Sequence, residues 1–219
     1  MTHMATADTD PANLDEQRSR FETLRAKITA ATDRPLNIHT DNTHAGLRTD
    51  RPDHTMVRVG LGLLGYGCET VVGELADFAA QLQPVVTWRG KVVHVADRPA
   101  GAHVGYGATW RLKQPARLAV VPVGYSDGYP LALSNAGVLT SVNGEATTAL
   151  PVRGRVNMDQ IVIDVTDAPD VGLGSTVEIY SGDPASPAAL PNLAETAGSH
   201  VYELLCRLSP RLTRRWIND

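Results

Sequence analysis

Tyrosines in this chain keep company with glycines: Gly65-Tyr66-Gly67, Gly105-Tyr106-Gly107 and Gly124-Tyr125-Ser126-Asp127-Gly128-Tyr129. Glycine lets the backbone turn sharply and leaves a neighbouring phenol open from one side. A phenol has a free pKa of about 10, so it carries protons only where its surroundings are unusual, for instance beside a cation. The same spacing also describes strand-end turns with packed aromatics. His39-Thr40-Asp41-Asn42-Thr43 reads as a strand end passing into a Thr or Asn helix cap, and a helix start bearing a hydroxyl is equally a phosphate site. Arg58, in Arg58-Val59-Gly60, is either a solvated strand-end charge or a buried cation in need of acceptors. The seven histidines are scattered, and no His or Cys cluster has metal-ligand spacing, so no metal is expected. There is no serine nucleophile elbow and no phosphate-binding P-loop.

The elements that must position these residues fall into two textures. Asn13 to Ala31 is helical, with Leu14, Phe21, Leu24, Ile28 and Ala31 on one face, Asn13 as the expected N-cap and Glu16 three residues on. Leu36 to His39 reads as a short strand, part of Thr43 to Leu47 as a short helix, and Met56 to Leu64 as strand-like at its start. That order is the signature of βα units. After about Gly67 comes a helix over Thr70 to Leu82, and beyond Pro84 the chain turns β-rich. Strands are expected over 85–95, 117–123, 138–142, 161–165 and 176–180, with Asn143-Gly144 as a two-residue hairpin signal. A helical pattern from Leu193 to Leu208 is interrupted near Gly198. The expected fold is therefore an α/β piece over residues 1–67, followed by a mainly antiparallel β domain over 68–219. Two or three βα units are too few for an eight-fold barrel, which takes about 250 residues, so the chain reads as incomplete at its N-terminus.

Composition narrows the class. The 219 residues are 42% hydrophobic and 20% charged, which excludes a fully disordered chain. No apolar run approaches the roughly 20 residues that span a bilayer, and Met1 leads into a polar stretch unlike a signal peptide. The formal charge of -4 argues against nucleic acid. Two cysteines, Cys68 and Cys206, fit a reducing cytoplasmic setting better than a disulfide scaffold.

Taken in order, the segments MTHMATAD, HTDNTHAGL, MVRVGLGLLGYG, VGYGATW, VPVGYSDGYP, VRGRVNMDQIVIDVTD and HVYELLCRLSPR resemble alanine racemase. This pyridoxal-phosphate enzyme interconverts L- and D-alanine and so supplies D-alanine for peptidoglycan precursors. The resemblance implies the last βα units of a TIM-type barrel followed by the family's β domain. It also implies a head-to-tail homodimer in the full-length form, each site combining one subunit's barrel with the other's β domain. His3 matches the histidine packed against the pyridine ring. Thr43 stands where a hydroxyl residue holds the cofactor phosphate, with the Gly60 and Leu61 amides and Tyr202 as further phosphate donors. Arg58 matches the arginine facing the pyridine nitrogen, and His39 the residue that orients it. Tyr106 matches the base that removes the α-proton of L-alanine, and Met158 the residue whose amide meets the substrate carboxylate. Tyr125, Arg155, Asp8 and Asp159 match parts of the narrow access corridor.

Departures from the family pattern matter too. Leu131 stands in the corridor where the family often has arginine, and His200 replaces an aliphatic residue. Both bear on which amino acid is admitted, so a racemase for another amino acid is an alternative. The second base of the family is a lysine that also forms the Schiff base with the cofactor. Lys27, Lys91 and Lys113 are the only lysines, and none has that motif's context. Alone, the chain is expected not to racemise alanine and to be poorly soluble, and a non-catalytic assembly module is the reading from a different class.

Overall fold

Asp10 and Pro11 decide where the first helix begins. In the computed structural model, which describes residues 1–48, 54–67, 75–142 and 147–217, helix α1 spans Pro11–Ala30. Asp10 has extended backbone, and its carboxylate accepts from the Asn13 amide at 3.1 Å. Proline at the first helical position has no N–H to leave unsatisfied. The cap is therefore Asp10, and Asn13, the expected cap, lies inside the first turn. Leu14 is buried with Met4, Ala7 and Ala45, whereas Leu24 and Ile28, on the same expected stripe, are exposed.

The chain divides into two units, Met1–Val85 and Val86–Asp219. In the first, residues 38–42 lie beside 55–58. Thr55 donates its amide to the Ile38 carbonyl and Arg58 its amide to the Asp41 carbonyl, both at 2.9 Å. A single parallel bridge, Asn42 to Arg58, is all the ladder these bonds make. The expected strands at 36–39 and at the start of 56–64 are therefore extended segments and not strands. Helix α2 (Thr43–Arg48) follows, its start satisfied by Asn42, whose Oδ1 accepts from the Ala45 amide at 3.1 Å. A 3-10 turn at Leu61–Leu64 ends on Gly65, at φ 78°. A Cβ there would fall 1.9 Å from the Gln83 carbonyl oxygen, so only glycine fits. Helix α3 (Ala76–Ala79) is the described part of the helix expected over 70–82. Residues 70–74, Cys68 and the Asn143-Gly144 pair lie outside the described residues.

Every described strand pair of the second unit is antiparallel, and a single parallel bridge joins Ser181 to Ala189. Its strands are β1 (Trp88–Lys91), β2 (His94–Arg98), β3 (His103–Val104), β4 (Trp110–Arg111), β5 (Ala116–Val121), β6 (Val138–Ser141), β7 (Ala149–Pro151), β8 (Ile161–Asp164) and β9 (Thr176–Tyr180). They form sheets of order β1-β9-β6-β7 and β2-β5-β8 and the separate pair β3-β4. The single strand expected over 85–95 is two, because the chain changes sheet between them. Val92 donates to Ser175 beside β9, while Val93 donates to Val120 on β5. At the opposite edges an isolated bridge joins Val152, just after β7, to Ile163 on β8. The two larger sheets are thus stitched on both sides, which leaves few unpaired edges. Inward residues Leu139, Leu150, Ile161, Ile163, Val177 and Ile179 are fully buried, and Trp88 meets Tyr180 edge-on with centroids 5.0 Å apart. Helices α4 (Leu190–Thr196) and α5 (Val201–Cys206) close the chain, with Gly198 at φ 61° making the break between them.

Register places the functional loops. Val121 at the end of β5 pairs with Ile161 at the start of β8, and Val138 at the start of β6 pairs with Pro151 at the end of β7. The segments 122–137 and 152–160 therefore emerge at one end of the stitched sheets.

The cap assignment gives a direct check. Asp10→Ala is expected to cost about 1 kcal/mol of stability by urea unfolding, while Asn13→Ala is expected to change it by less than half as much.

Candidate active site

Arg58 is a closely anchored charge of the first unit. One terminal nitrogen, NH1, donates to His39 Nδ1 at 2.7 Å. The other, NH2, donates to the Thr40 carbonyl at 2.9 Å and the Thr2 carbonyl at 3.0 Å, and faces His3 Nδ1 at 3.2 Å. Guanidinium has five donors and no acceptor, so each ring nitrogen facing it accepts. His39 is thereby fixed with its proton on Nε2. Partial burial and the Arg58 charge both hold the His39 imidazole below its ordinary range, so it stays neutral. No described carboxylate compensates the Arg58 charge, and two carbonyls and two ring nitrogens orient it.

Next to this cation lies a cradle of donors. Thr43, the first residue of α2 and only 5% exposed, accepts at Oγ1 from the Gly60 amide at 3.1 Å and from the Gly62 amide at 3.3 Å. Two amides occupy the hydroxyl's acceptor sites, so its proton is free to be donated. The Leu61 amide makes no hydrogen bond to another described residue. A Cβ on Gly62 would lie 2.8 Å from the Thr43 methyl, whereas one on Gly60 would meet nothing within 4 Å. The space over Gly60 is open, while the packing under Gly62 admits only glycine. Gly62 was not singled out in the sequence, because its role depends on Thr43 nineteen positions away. His3 and Asp8 are both exposed, and His3 Nε2 stands 3.4 Å from Asn42 Nδ2.

In the second unit, Tyr106 opens a 3-10 turn between β3 and β4 and is 72% exposed. Its neighbours Gly105 and Gly107 have φ of 69° and 72°, conformations that suit glycine. A Cβ on Gly105 would sit 3.3 Å from the Arg155 amide nitrogen, so the Tyr106 turn lies directly on the loop that carries Arg155. The same loop meets the Tyr125 segment. Tyr125 donates to the Asn157 carbonyl at 3.0 Å and Ser126 to the Met158 carbonyl at 2.9 Å. Gly124 has to be glycine, since a Cβ would fall 2.4 Å from the Met158 carbonyl oxygen. The Met158 amide, in contrast, makes no hydrogen bond to another described residue. Asp127 secures the segment by accepting from the Gly124 amide at 3.0 Å and from the Arg211 guanidinium. That hydrogen bond and the adjoining charge hold Arg211 more firmly protonated. Tyr106, Tyr125, Arg155, Met158 and Asp159 are all exposed on these loops, and Tyr202 is exposed in the first turn of α5.

The structure thus gathers His3, His39, Thr43, Arg58, Gly60 and Leu61 within the first unit, and Tyr106, Tyr125, Arg155 and Met158 within the second. Sequence reading missed Gly62, the Thr2 carbonyl, Arg211 and Asn135. Thr2, Gly62 and Arg211 lie within the motifs quoted above, but what each does depends on a partner far along the chain.

The His39–Arg58 contact predicts a pH dependence. The folded protein holds fewer protons at His39 than the unfolded chain does. Its contribution is therefore complete above pH 6.5, the ordinary histidine value, and is lost as the pH falls below it. Histidine NMR titration is expected to place the His39 midpoint below 6.5. His39→Asn keeps an acceptor that does not protonate, and it is expected to flatten the loss of first-unit stability in acid.

Two family models match this chain. The family model "Alanine racemase, N-terminal domain" matches residues 1–68 and "Alanine racemase, C-terminal domain" residues 85–216. The alanine racemase of Halothermothrix orenii is 35% identical over 220 residues, covering 100% of this chain and 56% of the relative. The alanine racemase structure from Streptomyces coelicolor aligns at a TM-score of 0.84 with 30% identity, over 99% of this chain and 55% of the other. That from Bacillus anthracis, with bound L-Ala-P, aligns at 0.80 with 28% identity, over 94% and 52%. The chain spans about half the length of the relatives it matches. By both domain models and by fold, this chain belongs to the alanine racemase family.

Proposed function

We propose that the first unit binds pyridoxal 5'-phosphate and the second supplies the proton-transfer and access residues for interconverting L- and D-alanine. The observation that carries this reading is Arg58, which no described carboxylate compensates, beside the Thr43–Gly60–Gly62 cradle. A permanent cation oriented by neutral acceptors, next to converging amides and a hydroxyl with its proton free, suits a ligand with a ring nitrogen acceptor and a phosphate. In this reading residues 1–67 are the closing βα units of the cofactor-binding barrel and 68–219 the C-terminal domain.

Pyridoxal phosphate, when bound, supplies an electron sink that acidifies the α-C–H bond of an amino acid. The chain's own residues do the rest. Arg58 can donate but never accept, so it favours an unprotonated pyridine nitrogen and restrains that sink. His39 keeps Arg58 aimed. His3 packs on the ring. Thr43, the Leu61 amide and Tyr202 bind the phosphate, joined by the Gly60 amide once it exchanges its bond to Thr43 Oγ1 for the phosphate. Tyr106 takes the α-proton of L-alanine on one face, and the Met158 amide orients the carboxylate. Tyr125, Arg155, Asp8 and Asp159 line the corridor that limits substrate size. The cofactor-bearing lysine on the opposite face is not among this chain's three. Lys27 is in α1, Lys91 donates to the Gly174 carbonyl from β1, and Lys113 follows β4. Racemisation therefore draws on residues outside this sequence, in a homodimer of the full-length form. A second reading, a racemase for a different amino acid, is favoured by Leu131, which is exposed in the 3-10 turn at Leu131–Leu133.

Two measurements check this. Fluorescence titration of the chain with pyridoxamine 5'-phosphate is expected to show saturable binding that Thr43→Val weakens about tenfold or more. Co-expression with the N-terminal half of a relative is expected to restore racemisation, read on a panel of small amino acids with alanine preferred. In that assembly Tyr106→Phe is expected to slow α-proton exchange of L-alanine by roughly 100-fold or more. Undiminished exchange in that variant rules out Tyr106 as the base. Ligand binding with no activity in any reconstitution favours the non-catalytic module.

A further inference from the structure

The Tyr106 turn and the Arg155 loop touch backbone to backbone. A Cβ on Gly105 would lie 3.3 Å from the Arg155 amide nitrogen, and one on Gly154 2.7 Å from the Val104 carbonyl oxygen. Gly105 and Gly154 carry no side chains of their own to interlock across this contact, so its alignment needs a separate fastening. Asn135 is placed to provide it. It is one of two described non-glycine residues with positive φ, at 61°, a conformation asparagine tolerates better than most. Its Oδ1 accepts from the Gly154 amide at 2.6 Å, and its Nδ2 donates to Thr109 Oγ1 at 3.2 Å. The amide orientation is not arbitrary, because a backbone N–H can only donate. One carboxamide thus joins the residue three after Tyr106 to the residue just before Arg155. On the other side of Arg155, Ser134 Oγ accepts from the Val156 amide at 3.0 Å. Trp110, which pairs with Val104 across the base of the turn, lies under the Arg153 guanidinium at 4.3 Å.

We propose that Asn135 is a positioning residue for Tyr106: its carboxamide clamps the Tyr106 turn to the Arg155 loop through Thr109 and Gly154. The clamp itself stands on geometry, while its consequence for catalysis rests on Tyr106 being the base. A proton acceptor on an exposed turn does its work only if the turn is held, since small displacements of a reacting group cost rate steeply.

The test is residue-resolved hydrogen exchange on the chain itself. Asn135→Gly keeps the left-handed backbone and removes only the amide. It is expected to raise exchange at Gly154 and across residues 105–109 by roughly tenfold, with exchange in β5, β6 and β8 unchanged. Thr109→Val, which cannot accept from Nδ2, is expected to loosen 105–109 while leaving Gly154 protected. Asn135→Asp keeps the acceptor for Gly154 and can take a hydrogen bond from the Thr109 hydroxyl, so it is expected to restore protection. The double variant Asn135→Gly/Thr109→Val is expected to loosen the turn no more than Asn135→Gly alone. Unchanged exchange at 105–109 in both single variants, or equal loosening throughout the second unit, overturns the clamp. In the reconstituted racemase Asn135→Gly is expected to lower kcat for L-alanine about tenfold with KM unchanged. If the exchange data hold while Tyr106→Phe retains activity, the clamp survives and the reading of Tyr106 as base fails.

Discussion

A guanidinium that no described carboxylate neutralises organises the first unit. Arg58 cannot lose its proton, so the fold has to meet its donors with acceptors or leave a partly buried charge unsatisfied. Two carbonyls and two histidine nitrogens meet them. The consequences spread outward from that choice. The Thr2–His3 segment, the 39–40 segment and the 55–58 segment are tied to one side chain, although their only ladder is a single parallel bridge. His39 is fixed in one tautomer. A carboxylate in place of His39 would hold the arginine more tightly and cancel its charge.

The second unit solves a different problem, that of exposing side chains on loops that are nonetheless held in place. Its sheets are stitched at Val92–Val93 and at Val152, and the loops leave from one end. There, glycines bring backbones closer than a side chain permits at Gly124 against Met158 and Gly154 against Val104, and into a tight contact at Gly105 against Arg155. Asp127 with Arg211, and Asn135 with Thr109, add the directional bonds that such contacts lack. Burial pushes the Tyr129 and Tyr180 phenols far up, so these two are structural and carry no charge. Tyr106 and Tyr125, from the same glycine-rich motifs, face solvent instead.

Much of this was legible in the sequence, for local reasons. The β5, β6, β8 and β9 strands are short apolar runs between turn residues, and the break at Gly198 needs only glycine's freedom at positive φ. The family was legible because seven motifs occur in order. The errors also have physical causes. Asn13 looked like a cap because the reading did not credit Asp10 followed by proline. Residues 36–39 looked like a strand, but a strand needs a partner ladder, and periodicity cannot count partners. The run 85–95 looked continuous, since nothing local marks the change of sheet at Val92–Val93. The contacts of Gly62, Arg211 and Asn135 were not legible because their partners are 19, 84 and 19–26 residues away.

In the proposed reading, Arg58 would present its donors to the ring nitrogen of a cofactor whose phosphate the Thr43 cradle would hold. The most direct measurement is the 15N chemical shift of ring-labelled pyridoxamine 5'-phosphate bound to this chain at neutral pH. An unprotonated pyridine nitrogen that becomes protonated in Arg58→Glu is the predicted result. A protonated nitrogen in the unmodified chain, or a shift indifferent to Arg58, contradicts it.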